Sequence, residues 1–148
     1  MFVRGSIFIA KKFKYSDGST GKKLLVLLNN PYKNTPYVVV KTTSKQHSKP
    51  STPGCIASYH KAYYIPGKQD FFEISTWIQL DDYFLFDQKH IDHHLKHIGD
   101  LSPKRTEDVI SCFLSINEQD LSPKIRSYIV PQIMQDIQAL TNKFNKRI

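Results

Sequence analysis

Two lysines in the segment GSTGKKLLVLLNN, residues 18–30, stand where they could hold a phosphate group. Lys22 and Lys23 follow a turn rich in glycine and small polar residues, and they precede the aliphatic run 24–28. A pair of charges at the tip of a buried strand either binds an anion or ends a solvated hairpin. The residue types alone leave both interpretations open.

Hydroxyl groups beside further positive charge form a second candidate site. Thr43 and Ser44 end a β-branched segment, and a basic loop comes directly after them. A positive track with tyrosine rings as stacking faces is the pattern that single-stranded RNA needs. The alternative is structural, because threonine also favours strands for packing reasons. The RNA-binding candidates in this region are Lys41, Ser44, Lys45, His47 and Lys49.

One histidine and one pair of carboxylates are further candidates for chemistry. His60 has an unperturbed pKa near ~6.5, which suits proton transfer at neutral pH. Asp81 comes after the apolar segment 75–80 and supplies a carboxylate. Each also has a structural interpretation: His60 as an ordinary strand residue, and Asp81 with Asp82 as acids that end a strand.

Four histidines between residues 90 and 97 raise the question of a metal site. His90, His93, His94 and His97 would share one face of a helix, and histidines four residues apart can chelate zinc. The segment lacks the glutamate of the H-E-x-x-H motif and any cysteine or carboxylate at a fixed offset. We therefore predict no metal and no cofactor, and expect a half-buried helix face.

Composition narrows the class of partner. The 148 residues carry a formal charge of +8, from 21 Lys and Arg against 13 Asp and Glu. This excess favours an anionic partner but does not choose among nucleic acid, an acidic peptide and a lipid surface.

Cysteine spacing and hydropathy suggest a location. Cys55 and Cys112 lie far apart without a C-x-x-C motif, which predicts free thiols in a cytoplasmic protein. No apolar run reaches the ~18 residues that a membrane span requires, and the first residues do not resemble a signal peptide. We therefore expect no membrane association.

The first half of the chain has the pattern of an antiparallel β structure. Apolar or β-branched segments alternate with turn-forming residues, and no helix separates them, which is typical of a small barrel or sandwich. An exposed loop is expected at 45–54, because this segment is basic and holds two prolines and a glycine. The predicted strands are 6–13, 24–29, 37–44, 59–65 and 75–80.

The second half changes to helical periodicity. One helix is predicted over 87–100, with Ile91, Leu95 and Ile98 on one stripe and Gly99 as its stop. A second helix is predicted over 101–116, with Ser102 as N-cap and Pro103 at the first helical position. The predicted fold class is α+β, mainly β with C-terminal helices.

The same capping device recurs before the last segment. Ser122 and Pro123 predict another helix start, and Pro131 is expected to break or kink that helix. After Pro131, apolar residues at helical spacing form a further stripe. We predict a single domain, with a main unit at 1–117 and a helical extension at 118–148. The stripe consists of Ile133, Ile137, Leu140 and Phe144.

Taken in order, five segments between about residues 4 and 116 resemble the MazF/PemK (Kid) family of toxin endoribonucleases. RGSIFIAKKF resembles its opening strand, and GKKLLVLLN resembles its GK-x-RPVLV segment. VVVKTTSKQ is similar to its third strand, which ends in Thr-Ser or Thr-Thr. STWIQLDDYFLFD is similar to its carboxylate-bearing strand. HLKHIGDLSPKRTEDVISCFLSI is similar to its closing helix.

The resemblance implies an SH3-like barrel with a terminal helix, usually a homodimer. The implied activity is metal-free cleavage of single-stranded RNA at the 2′-hydroxyl, inhibited by a cognate antitoxin protein that occupies the RNA groove. Thr43 falls on the family's strand-end threonine, and Asp81 falls on its carboxylate. Two family arginines fall on Leu24 and Gln79, and the proline next to the first falls on Leu25.

These replacements leave two hypotheses open. Cleavage needs a cation to stabilise the doubly charged phosphorane, and leucine cannot supply one. The first hypothesis is a divergent ribonuclease that uses Lys22 or Lys23 with Thr43, Asp81 and His60. The second is an inactive relative that binds nucleic acid or protein without cutting. A third, structural idea is that the extension 118–148 packs across the barrel or a dimer interface.

Overall fold

A computed structural model describes residues 2–32, 34–130, 140, 141 and 143. This part of the chain forms eight strands and two helices with defined ends, and residues 123–130 form a third helix. The strands are β1 (Ser6–Lys14), β2 (Thr20–Leu27), β3 (Tyr37–Thr43), β4 (Gly54–Ile56), β5 (Ala62–Ile65), β6 (Thr76–Gln79), β7 (Phe84–Phe86) and β8 (Leu95–Asp100). The helices are α1 (Gln88–His94), α2 (Pro103–Ile116) and α3 (123–130).

The strands form one antiparallel sheet in the order β4-β5-β6-β3-β2-β1-β8. Strand β3 is the centre of this arrangement. It pairs with β2 along one edge, while its other edge pairs with β7 at Tyr37–Val39 and with β6 at Thr42 and Thr43. The α+β class predicted from the sequence, with helices mainly in the second half, is confirmed.

Alternation along β2 and β3 divides the apolar residues between two faces. One face, including Val26, Val40 and Ile78, packs with α2 and with Ile129 of α3 in the main core. The other face, including Leu25 and Val39, is covered by Ile91 of α1. The sheet is therefore buried on both faces near its centre, as expected from the continuous apolar run of β2.

Most predicted strands occur with shifted bounds, but the helix predicted at 87–100 is partly wrong. The helix ends at His94, and Leu95–Asp100 forms β8, which pairs with β1. Tertiary pairing with an open sheet edge outweighs the helical pattern of this segment. Gly99 is a strand residue, and a Cβ on it would collide with the Phe71 ring.

The predicted cap of the next helix is confirmed. Ser102 is the N-cap of α2, and its side chain accepts a hydrogen bond from the Arg105 N–H at 3.3 Å. Pro103 occupies the first turn, as expected for a residue with no N–H to satisfy. Ser122 caps α3 in the same way, accepting from the Ile125 N–H at 3.2 Å. The expectations for Pro131, Ile133, Ile137 and Phe144 lie outside the described residues.

The prediction of free thiols is wrong. Cys55 of β4 and Cys112 of α2 form a disulfide across a sequence separation of 57 residues. Spacing along the chain gave no indication of it, because the pair is created by packing α2 against β4. Among the described helices, none is long and apolar enough to cross a membrane.

Candidate nucleic-acid interface

The β1–β2 hairpin brings Lys22 and Lys23 to the mouth of a cavity. Its turn is closed by Asp17, whose carboxylate accepts hydrogen bonds from the Ser19 N–H at 2.9 Å and the Ser19 hydroxyl at 2.6 Å. These bonds lower the pKa of Asp17. Beyond the turn, the Tyr15 hydroxyl donates to the Lys22 carbonyl at 3.3 Å. The hairpin end is thus ordered by its own side chains.

The cavity has a volume of about 630 Å³, and we call it the basic cavity. Its walls come from β2, from the end of β3 and from the loop between β5 and β6. Residues that carry hydroxyl, ammonium and carboxyl groups therefore line a common space. Its polar lining includes Lys22, Lys23, Thr43, Ser44, Lys45 and Glu73.

Several lysines lie close enough to Lys23 to lower its pKa. Burial lowers the pKa of Lys23, and the neighbouring charges of Lys41, Lys45 and Lys49 lower it further. The Lys23 ammonium also lies 5.8 Å from the centre of the Tyr15 ring, within reach of a cation–π contact. An anion bound in the cavity would relieve the repulsion among these lysines.

The strand end holds its hydroxyls in place. The Thr42 hydroxyl donates to the Leu24 carbonyl at 2.9 Å, which ties β3 to β2. Thr43 accepts a hydrogen bond from the Lys45 N–H at 3.1 Å and so starts the basic loop. The Lys49 ammonium folds back onto the carbonyls of Lys45 and Gln46, at 3.2 Å each. These contacts keep the loop charges close to Lys23.

The third wall is the segment 66–75, which sequence reasoning left without a role. Asp70 anchors it to α2 by accepting from the Ser102 N–H at 3.0 Å and the Ser102 hydroxyl at 2.7 Å. Arg105 lies 3.7 Å from the same carboxylate. Phe71, Phe72 and Glu73 then line the basic cavity. The only signal in the sequence was a Phe-Phe-Glu triplet between two strands.

Some predicted site residues lie elsewhere. Asp81 does not line the basic cavity; it lies beyond the end of β6 opposite Thr76, which does line it. His60 is near that same far end, because the next residue, Lys61, accepts a hydrogen bond from the Leu80 N–H at 3.0 Å. The structure therefore brings Lys22, Lys23, Thr43, Ser44 and Lys45 together but separates them from Asp81 and His60.

The other residues predicted to contact RNA do not line the basic cavity. Lys41 and Lys49 influence Lys23 through their charge but do not line the cavity. His47 is exposed at the tip of the basic loop, with a left-handed backbone at φ 43°. Leu24, where the resemblance places an arginine, does line the cavity. An arginine at this position would therefore reach the same space as Lys22 and Lys23.

The histidine cluster is divided between two elements. His90, His93 and His94 belong to α1, whereas His97 lies on β8. The His97 Nε2 atom is 3.0 Å from the Asp100 carboxylate. Within the described residues, no group of three or more His, Cys, Asp or Glu side chains is arranged to hold a metal ion.

Comparison with known proteins gives no relative to support a family. No protein-family model matches the chain, and the curated proteins contain no match to it. Function must therefore be argued from the cavity itself.

Proposed function

We propose that this protein binds single-stranded RNA in the basic cavity and cleaves it without a metal, as a divergent toxin endoribonuclease of the MazF/PemK type. The observation that carries the proposal is the shared cavity of Lys22, Lys23, Thr43, Ser44 and Lys45. A phosphodiester placed among these groups would meet both fixed positive charge and hydroxyl donors. The SH3-like barrel and the homodimer are parts of the same proposal.

The chemistry requires one base, one acid and one stabilising cation. The RNA 2′-oxygen loses its proton to the base and attacks phosphorus. The bond from phosphorus to the 5′-oxygen breaks, and the acid protonates that oxygen. The products are a 2′,3′-cyclic phosphate and a 5′-hydroxyl. In the basic cavity, Glu73 is the carboxylate available as base, Lys23 is the acid whose lowered pKa favours proton donation, and Lys22 or Lys45 supplies the stabilising cation.

The test is cleavage of a single-stranded RNA by the purified protein in the presence of a metal chelator. Lys23→Met and Glu73→Gln are each expected to reduce the cleavage rate by roughly 10²–10⁴-fold. Asp81→Asn and Lys104→Met, which change residues outside the cavity, are expected to leave it unchanged. Growth arrest on expression should depend on Lys23 in the same way.

A second candidate function is binding without cleavage, and two observations favour it. Leu24 faces the cavity in place of an arginine, and Asp81 lies outside it. RNA that stays intact at high protein concentration, while still binding with strong salt dependence, would establish this alternative. A binding surface of either kind is also where an antitoxin protein would compete with RNA.

Cytoplasmic location belongs to the proposal, because the RNA target is there. The Cys55–Cys112 disulfide counts against it, since disulfides persist mainly in oxidising compartments. Alkylation of free thiols in freshly lysed cells, with mass measurement afterwards, decides whether the pair is oxidised where the protein works.

A further inference from the structure

A second cavity, of about 370 Å³, lies beside the β1–β2 hairpin and is lined by rings from three elements. We call it the aromatic cavity. Phe13 comes from β1, Phe84 and Phe86 come from β7, and His90 and His94 come from α1. The proposed RNA cleavage uses none of these rings.

Three of the rings, Phe84, Phe86 and His90, lie in nearly parallel planes, and His94 is tilted against the last of them. Phe84 and Phe86 are inclined by 16° with centroids 6.0 Å apart, and Phe86 lies against His90 at 4.1 Å and 19°. The His94 ring lies 4.7 Å from the His90 ring and is tilted by 39° against it. Phe84, at one end, also contacts Phe13 edge to face at 5.3 Å, whereas His94, at the other end, is exposed. A planar group entering the cavity can therefore extend the stack.

Charge around the rings favours a ligand that carries phosphate. Lys12 and Lys14 line the same cavity and are exposed, and no acidic side chain is among the described lining residues. Burial and the nearby His94 lower the pKa of His90 against the opposing charge of Asp87, which favours the neutral ring. A base with an attached phosphate matches this combination of flat apolar rings and ammonium groups better than an aliphatic peptide does.

The aromatic cavity and the basic cavity lie on the two paired strands of the same hairpin. Residues 12–14 of β1 line the aromatic cavity, while residues 22–24 of the paired strand β2 line the basic one. Phe13, on the aromatic side, contacts Tyr15, on the basic side, edge to face at 5.6 Å. A β-bulge between Ala10 and Phe13 makes this part of β1 irregular. A nucleic-acid strand that occupied both cavities would have to cross this hairpin.

We propose that the aromatic cavity is a base-stacking subsite for single-stranded nucleic acid, separate from the basic cavity where cleavage would occur. The inference rests on the proposed function only in the choice of RNA as ligand. It does not require that the protein cleaves RNA.

The experiment measures the affinity of a fluorescently labelled single-stranded oligouridylate of about ten nucleotides for matched pairs of variants. Phe84→Leu and His94→Leu keep apolar volume but remove the π face, whereas Phe84→Tyr and His94→Phe keep it. The leucine variants should bind about 5- to 100-fold more weakly, and the aromatic variants should bind like the wild type. Circular dichroism confirms that each variant is folded, and His94 is exposed enough for its substitution to be tolerated.

Ultraviolet cross-linking of the same oligouridylate gives an independent readout. Cross-links should map by mass spectrometry to peptides that contain Phe84, Phe86, His90 or His94, and should persist in a Lys22→Ala/Lys23→Ala variant at saturating RNA.

The first two outcomes separate this inference from the proposed function. Equal affinity of leucine and aromatic variants overturns the stacking subsite, even if RNA is cleaved. Weakened binding of the leucine variants without any cleavage supports the subsite and overturns the nuclease. Absence of oligouridylate binding by the wild type overturns both. An aromatic peptide that binds here in place of RNA also overturns the subsite.

Discussion

At the scale of single residues, Lys23 carries its positive charge where the fold makes that charge unfavourable. Its ammonium group is half-buried and repelled by Lys41, Lys45 and Lys49, so the folded protein holds this proton less tightly than the unfolded chain does. The charged form therefore destabilises the native state below the folded pKa. That penalty disappears as pH rises through the folded pKa toward the ordinary lysine value.

We expect Lys23→Met to raise the melting temperature at pH 7 while weakening RNA binding. The variant removes a poorly solvated charge but also one phosphate contact, so the slope of log affinity against log salt should fall in magnitude by about 1. Calorimetry and fluorescence anisotropy measure the two effects. Lys104→Met, at an exposed position of α2, is the matched control, and a Lys23→Met variant with unchanged salt slope would contradict the assignment.

Gln79 has a buried side-chain oxygen without a hydrogen-bond partner among the described residues. Replacing it by leucine removes the unsatisfied acceptor, so Gln79→Leu is expected to stabilise the protein by about 1 kcal/mol. Asn29 is the matched comparison, because its amide donates to the Pro36 carbonyl and accepts from the Val38 N–H. Asn29→Leu should cost about 1–3 kcal/mol. Urea unfolding measures both changes; destabilisation by Gln79→Leu would show that the oxygen is satisfied.

Leu24 allows a gain of function to be tested. It lines the basic cavity at the position where the family resemblance expects an arginine. Leu24→Arg should increase RNA cleavage by about 10- to 10³-fold, because it adds a fixed cation beside the scissile phosphate. Leu24→Met is the control for altered packing. If the arginine variant binds RNA more tightly but leaves it intact, the cavity lacks the remaining catalytic groups.

At the scale of elements, the disulfide joins the edge of the sheet to the long helix. Strand β4 has three residues and pairs only with β5 among the described strands, so Cys55 adds a covalent attachment to Cys112 of α2. The basic loop that supplies Lys45 and Lys49 runs directly into β4. The Trp77 indole N–H, which donates to the Pro50 carbonyl at 2.8 Å, is a second anchor for that loop.

Cys55→Ser is expected to lower the free energy of unfolding by about 2–4 kcal/mol, because the cross-link closes a long loop and restricts the unfolded chain. Chemical denaturation with and without dithiothreitol provides the measurement. Reductant should destabilise the wild type to a similar extent and leave the serine variant unaffected. Equal stability of oxidised and reduced wild type would show that the bond contributes nothing.

At the scale of the whole molecule, α3 packs into the same hydrophobic core as the sheet and α2. Ile129 is 3% exposed and belongs to the main core, and Ile125 is 9% exposed. Residues beyond the closing helix α2 are therefore part of the same packed unit over the described range. A cut after residue 117 would expose apolar surface on α2 and the sheet.

Ile129→Ala should cost about 2–5 kcal/mol, as expected for a buried large-to-small change, and should lower a single unfolding transition of the entire protein. Ser127→Ala, on the exposed side of α3, is the control and should stay within about 0.5 kcal/mol. Thermal unfolding monitored at Trp77 and by circular dichroism reports both. An early, separate transition in the variant would instead indicate that the last helix unfolds independently.

Neighbouring residue types along the chain were enough to predict several features of this protein. Alternating and β-branched segments predicted the principal strands, and Ser-Pro pairs predicted the starts of α2 and α3, because strands and caps depend on neighbouring residues. The basic loop and the lysine pair were also visible as candidates for phosphate binding. None of these inferences needed knowledge of which segments pack together.

Only the tertiary structure decided the rest, since those features depend on contacts between distant segments. Pairing with β1 turned Leu95–Asp100 into a strand, and packing of α2 on β4 brought Cys55 to Cys112. The anchoring of Asp70 to Ser102 placed Glu73 in the basic cavity, while the direction of β6 carried Asp81 away from it. Residue types along the chain define which chemistry is possible, but the sheet's order and register decide which groups meet.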